Sequence, residues 1–122
     1  GFVHAISHMV GAEFDTQHGL TNAIVLPSVL KYNQHVMDKK ISIMSEAMGL
    51  KKNDFEYFYN SICDLLDQLK IPKNLKKIGV EVSSVERLAE KALKDSAFAT
   101  NPKTASLEEM VGLINISMNK GR

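Results

Sequence analysis

With 122 residues, 44% of them hydrophobic, the chain has apolar surface for one core and too little length for two ordinary domains. Fifteen basic residues interleave with fourteen acidic ones for a formal net charge of +1, which argues against a nucleic-acid or anionic-membrane partner and against a basic recognition helix. No apolar run approaches the roughly 20 residues that cross a bilayer, and one cysteine, Cys63, among six methionines points to a reducing, cytoplasmic setting without disulfides.

Apolar residues recur at spacings of three and four, and nothing alternates with period two for long, so the expected fold class is all-α, five or six helices on one core. The first helix carries His4 and His8, four residues apart and therefore on one face. An unbroken helix would place His18 about 21 Å from His4, so a turn is required. Gly11 is expected to loosen the end of the first helix, with Asp15 and Thr16 forming the turn and cap. His18 then falls in the first turn of the next helix. That apolar segment, 18–32, contains Pro27, which should kink or split it. His35 reads as a surface residue near its end.

Ile41, Met44, Ala47 and Met48 mark a short helix stopped at Gly49. Phe55, Phe58, Ile62, Leu65, Leu66 and Leu69 form a stripe with Asn53 as expected N-cap, Glu56 three residues on, and Pro72 beyond. Cys63 on this stripe reads as a small packing residue. Ser83 and Glu86 form a second S-x-x-E box, ahead of Val85, Leu88, Ala92 and Leu93, and Ser106 and Glu109 a third, ahead of Leu107, Met110, Val111, Ile114 and Met118. The turn FATNPKTA separates these two helices, marked by Asn101 and Pro102. Met37, Met44, Met48, Met110 and Met118 are expected to fill core gaps, and the paired lysines at 39, 51 and 76 to be solvated helix ends.

Three histidines among the first eighteen residues carry the chemistry, because neutral imidazole nitrogens suit borderline metals such as iron(II) and zinc(II). They make an incomplete site, since a stable one needs about four ligands. An H-E-x-x-H zinc protease motif is excluded by Ala5, and a zinc finger by the lack of a thiolate pair. Glu13 and Asp15 could lend a carboxylate, although turn and cap roles explain them without one. Gly1 in place of an initiator methionine, with the densest motif so early, reads as the downstream part of a longer protein.

The string HAISHMVGAEFDTQHGLTNAIVLPSVLKYN resembles the C-terminal signature of the iron-containing, or group III, alcohol dehydrogenases. Its fixed elements are His4, His8, Gly11, Ala12, His18, Gly19, Asn22, Ala23, Leu26, Pro27, Val29, Tyr32 and Asn33, and the resemblance continues more weakly through PKNLKKIGV, the segment after Ser83 and TNPKTASLEEMV. It implies a single all-α C-terminal domain over residues 1–122 of a dehydroquinate synthase-like fold, lacking the nucleotide-binding α/β domain, which becomes its expected partner. It further implies His4 and His18 as ligands of a divalent metal, iron(II) first and zinc(II) second, completed by an aspartate and a histidine from upstream. His8 lies beside metal and nicotinamide, where it assists proton movement or positions substrate. The implied reaction is hydride transfer between an alcohol and NAD or NADP, giving an aldehyde or ketone; Phe2 and Phe14 are expected along the alcohol pocket. The fragment alone is expected to be inactive. A different reading keeps the chain as an isolated helical module without catalysis, binding a metal weakly or a partner protein through an apolar surface that a homo-oligomer would cover.

Overall fold

The computed structural model describes residues 1–122 as six α-helices linked by turns and short 3-10 helices, with no strand. α1 (Phe2–Phe14) packs along α2 (His18–Asn33), and α5 (Val85–Ala92) and α6 (Leu107–Asn119) close around them. Phe2, Ile6, Ile24, Val25, Leu88, Met110, Ile114 and Met118 fill the shared interior. α3 (Asp38–Ala47) and α4 (Phe55–Gln68) stand to one side over a smaller cluster of Leu30, Ile41, Phe58 and Tyr59. No helix is long and apolar enough to cross a membrane.

The turn between α1 and α2 sets the site, and it differs from expectation. Gly11 lies inside α1, which ends only at Asp15, held in the left-handed region at φ 52 while its N–H reaches the Gly11 carbonyl. Aspartate tolerates that conformation through its short polar side chain. Thr16 does not cap α2; its Oγ1 accepts a hydrogen bond from Thr21 Oγ1 at 2.8 Å, and Gln17 takes the N-cap position. His18 is the first residue of α2, as expected.

Pro27 does not split α2, which runs unbroken for 16 residues. Proline removes the N–H that would bond the Ala23 carbonyl, but buried Ile24, Val25, Val29 and Leu30 hold the helix through its neighbours, a tertiary override of local preference. Gly49, at φ 68, stops α3 as expected.

Two of the three expected capping boxes do not form. Asp54, not Asn53, caps α4, its carboxylate accepting from Tyr57 N at 2.7 Å. Ser83 lies in a 3-10 turn (Val82–Ser84) that leads into α5, while Ser84 Oγ donates to the Glu81 carbonyl at 2.6 Å. The box at Ser106 and Glu109 is complete, with both reciprocal bonds at 3.1 Å. Asp54→Ala is therefore expected to cost about 1 kcal/mol in a denaturant titration, with Asn53→Ala within about 0.5 kcal/mol of the parent; equal effects would contradict the cap assignment.

The α4 stripe is wider than its contact. Phe58 and Leu66 are buried, but Leu65 is 49% and Leu69 61% exposed, because this outlying helix packs chiefly against α2 and α3. The turn 95–106 does more than separate helices. Its 3-10 helix (Ser96–Thr100) lays Phe98 on Phe2, and Asn101 exchanges amide hydrogen bonds with buried Asn33, while its Oδ1 also accepts from Phe2 N. This joins the start of α1 to the end of α2.

Two carboxylates tie helices together at the surface. Glu13 on α1 pairs with Arg87 on α5, whose hydrogen bond holds the Glu13 carboxyl below its usual value. Glu109 on α6 is lowered by the Ser106 N–H and by Tyr32 Oη, which donates to it at 2.8 Å; burial first and then Glu109 push Tyr32 up to about 12. Each carboxyl is more acidic folded than unfolded. Its stabilisation is thus present above the ordinary value of 4.5 and is lost as pH falls through the lowered one. The melting temperature is expected to drop below about pH 4.5, less steeply in Glu13→Gln and Glu109→Gln; acid slopes unchanged in both variants would contradict this.

Candidate metal centre

α1 is two-faced. Phe2, Ala5, Ile6 and Val10 turn inward, so His4 and His8, on the complementary positions, are exposed. The Asp15 turn then brings α2 back with His18 at its exposed first position. The three imidazoles meet: ring centres lie 5.8 Å apart for His4 and His8, 5.4 Å for His4 and His18, and 5.5 Å for His8 and His18.

A metal–nitrogen distance near 2.1 Å puts two imidazole centres that share an ion roughly 5 Å apart. The His4–His18 separation meets that requirement, as does His8–His18 at 5.5 Å, and all three rings are borderline nitrogen donors of the kind iron(II) and zinc(II) accept. His8 lies nearly parallel to His18, at 17°, with its lone pairs directed along its own plane. No group of three or more His, Cys, Asp or Glu side chains is arranged to hold an ion unaided. The arrangement is an open cluster of three imidazoles.

The histidines are braced from behind. Asn22 Nδ2 lies 3.1 Å from His18 Nε2, and Asn22 Oδ1 accepts from buried Ser7 Oγ, which links α1 to α2. His8 Nδ1 lies 3.1 and 3.3 Å from the two oxygens of Asp95, at the start of the 96–100 turn. Burial raises the Asp95 carboxyl, but the Ala97 N–H and His8 outweigh it and leave it lowered. Asp95 escapes a reading of the sequence because it stands 87 residues from His8; its only local signal is that of a cap before Ala97.

Other candidates lie elsewhere. Glu13 is engaged by Arg87, and Asp15 serves as the left-handed cap of α1. His35 is exposed on the 3-10 turn (Gln34–Val36), and half-buried Cys63 borders the smaller core. Phe2 has no exposed surface, stacks on Phe98 at 4.9 Å and meets Tyr32 tilted at 5.7 Å, and from the core it also lines the space beside His4, whereas Phe14 packs half-buried against the main core and does not line that space. The groove that does open beside His4, of about 360 Å³, is lined by Val3, Leu26, Val29, Leu30, Asn33 and Met37 among others.

Residues 1–118 match the family model described as Fe-containing alcohol dehydrogenase family, C-terminal. The chain is 36% identical over 113 residues to a probable alcohol dehydrogenase, EutG, of Escherichia coli strain K12, a match that covers 93% of this chain and 29% of that protein. It is 34% identical over 119 residues to the lactaldehyde reductase of the same strain, covering 93% and 31%. Among solved structures it superposes on a 1,3-propanediol oxidoreductase with a TM-score of 0.91 at 30% identity, over 97% of this chain and 32% of that one. An alcohol dehydrogenase from Oenococcus oeni gives a TM-score of 0.86 at 27% identity, over 96% and 32%. The chain thus spans about three-tenths of the length of these relatives.

Proposed function

The chain belongs to the iron-containing alcohol dehydrogenase family, as its helical C-terminal domain, and on that premise we propose that it forms the metal-gripping part of an NAD- or NADP-linked alcohol dehydrogenase. His4 and His18 are two of the metal ligands, and His8 stands beside them. The observation that carries this reading is the meeting of three imidazoles from two helices, with a His4–His18 spacing suited to one shared ion. By the family pattern an aspartate and a further histidine complete the set.

Iron(II) or zinc(II), when bound, supplies Lewis acidity that makes the alcohol hydroxyl easier to deprotonate. This chain contributes the rest of one wall. His4 and His18 offer neutral nitrogens from two helices that Ser7 and Asn22 tie together, and His8 offers a base within reach of the same space. The groove beside His4 offers apolar side chains to a short carbon chain. Relatives named for lactaldehyde and 1,3-propanediol make small hydroxylated aldehydes and diols the first substrates to try. A reducing, cytoplasmic setting suits iron(II) and the unpaired Cys63.

Together with a nucleotide-binding part, the chain is expected to oxidise a primary alcohol with reduction of NAD or NADP, to lose the rate to a chelator and to regain it with iron(II) or zinc(II). Rates indifferent to chelation, or no nicotinamide reduction with any short alcohol, would overturn the reading.

A further inference from the structure

We propose that Asp95 is the positioning residue of this site, fixing His8 in the tautomer that carries its proton on Nδ1 and leaves Nε2 as the free base. The proposal rests on the reading of His4, His8 and His18 as one centre and adds a residue outside their signature. A neutral imidazole has one donor and one acceptor nitrogen, and whichever partner one nitrogen finds decides the other. Here the partner is a carboxylate, which only accepts. Asp95 Oδ2 lies 3.1 Å from His8 Nδ1, so that nitrogen must hold the proton.

The carboxylate is itself immobilised. Asp95 Oδ1 accepts from Ala97 N at 2.8 Å, and the Asp95 side chain is only 12% exposed against 41% for His8. The 96–100 turn that follows is clamped to the first turn of α1 by the Phe98–Phe2 stack and by Asn101, which accepts from Phe2 N. Asp95 and His8, distant in sequence, are thereby held on one rigid frame. Oδ1 is divided between the turn and, at 3.3 Å, the ring, while Oδ2 faces the ring alone.

This division matters for alcohol oxidation. The O–H bond breaks with its proton passing to His8 Nε2, and the carbinol C–H bond breaks with its electron pair passing to NAD or NADP in its oxidised form, leaving the carbonyl. The imidazolium so formed faces the Asp95 carboxylate, which offsets its charge. A ring protonated on Nε2 instead would have no lone pair there to accept that proton.

Asp95→Asn separates positioning from structure. Asparagine caps as well as aspartate, and its single oxygen is expected to stay with Ala97 N, which turns the amide NH2, a donor, toward His8 Nδ1. Long-range ¹H–¹⁵N correlation of the imidazoles in the metal-free 122-residue chain, above the histidine titration range, reads the tautomer directly. The expected result is Nδ1–H for His8 in the parent and a switch to predominantly Nε2–H in Asp95→Asn, with the His4 and His18 patterns unchanged and the melting temperature within about 2 °C of the parent. An Nε2–H parent, or a tautomer that does not change in a folded Asp95→Asn, would overturn the proposal. Because no metal is added, this outcome is independent of whether His4 and His18 hold an ion, so a failed metal site and a failed positioning role are told apart.

Discussion

Replacing His4 or His18 by alanine is expected to weaken the binding of a single iron(II) or zinc(II) ion to the chain by at least 10- to 100-fold, the range that even an outer partner of a ligand commands. His8→Ala should leave the affinity within about three-fold, since a ring that is not a ligand removes no donor. The basis is the family pattern, which makes His4 and His18 ligands and leaves His8 beside them, together with ring spacings of 5.4 to 5.8 Å that bring all three to one place. Calorimetric titration under anaerobic conditions distinguishes the roles. Equal losses in all three variants would make His8 a ligand, and an undiminished affinity in His4→Ala would remove it from the set.

Phe2→Ala is expected to cost about 3–5 kcal/mol, the range for emptying a buried phenylalanine site, and to lower the melting temperature by roughly 10–25 °C. The ring has no exposed surface and joins Phe98 to Tyr32, thereby holding the 96–100 turn, α1 and α2 together. Its loss should loosen the frame on which His4, His8 and Asp95 are mounted. Leu69→Ala, at a position 61% exposed, provides the control and should stay within about 0.5 kcal/mol. A Phe2→Ala variant as stable as Leu69→Ala would contradict the packing described.

The histidines are legible in the sequence because the information is local. A four-residue spacing fixes His4 and His8 on one face, and the Asp15 turn carries its own chemistry, so the place of His18 at the start of α2 follows from neighbouring residues alone. Tertiary context decides the rest. Pro27 is a helix breaker by local rules, yet the buried residues around it keep α2 continuous. Asn53 and Asp54 are adjacent residues of equal capping ability, and only the path of the chain selects Asp54. Phe2 sits beside a site histidine in sequence but on the opposite face of α1, which buries it in the core while it still lines the groove beside His4. Asp95 shows the limit most plainly: its contact with His8 exists only because Phe98 and Asn101 fold the turn back onto Phe2, and no spacing rule spans 87 residues.

The chemistry of the chain is concentrated in a small area where α1, the start of α2 and the 95–101 turn converge. The central claim is that His4 and His18 together hold one metal ion while His8 stays outside its coordination. Its most direct test is zinc(II) titration of the ¹⁵N-labelled chain followed on the imidazole nitrogens. The account predicts that one nitrogen each of His4 and His18 shifts in step and saturates at one ion per chain, with His8 keeping its Nδ1 proton. No change at His4 and His18, or perturbation confined to His8 or His35, would contradict it.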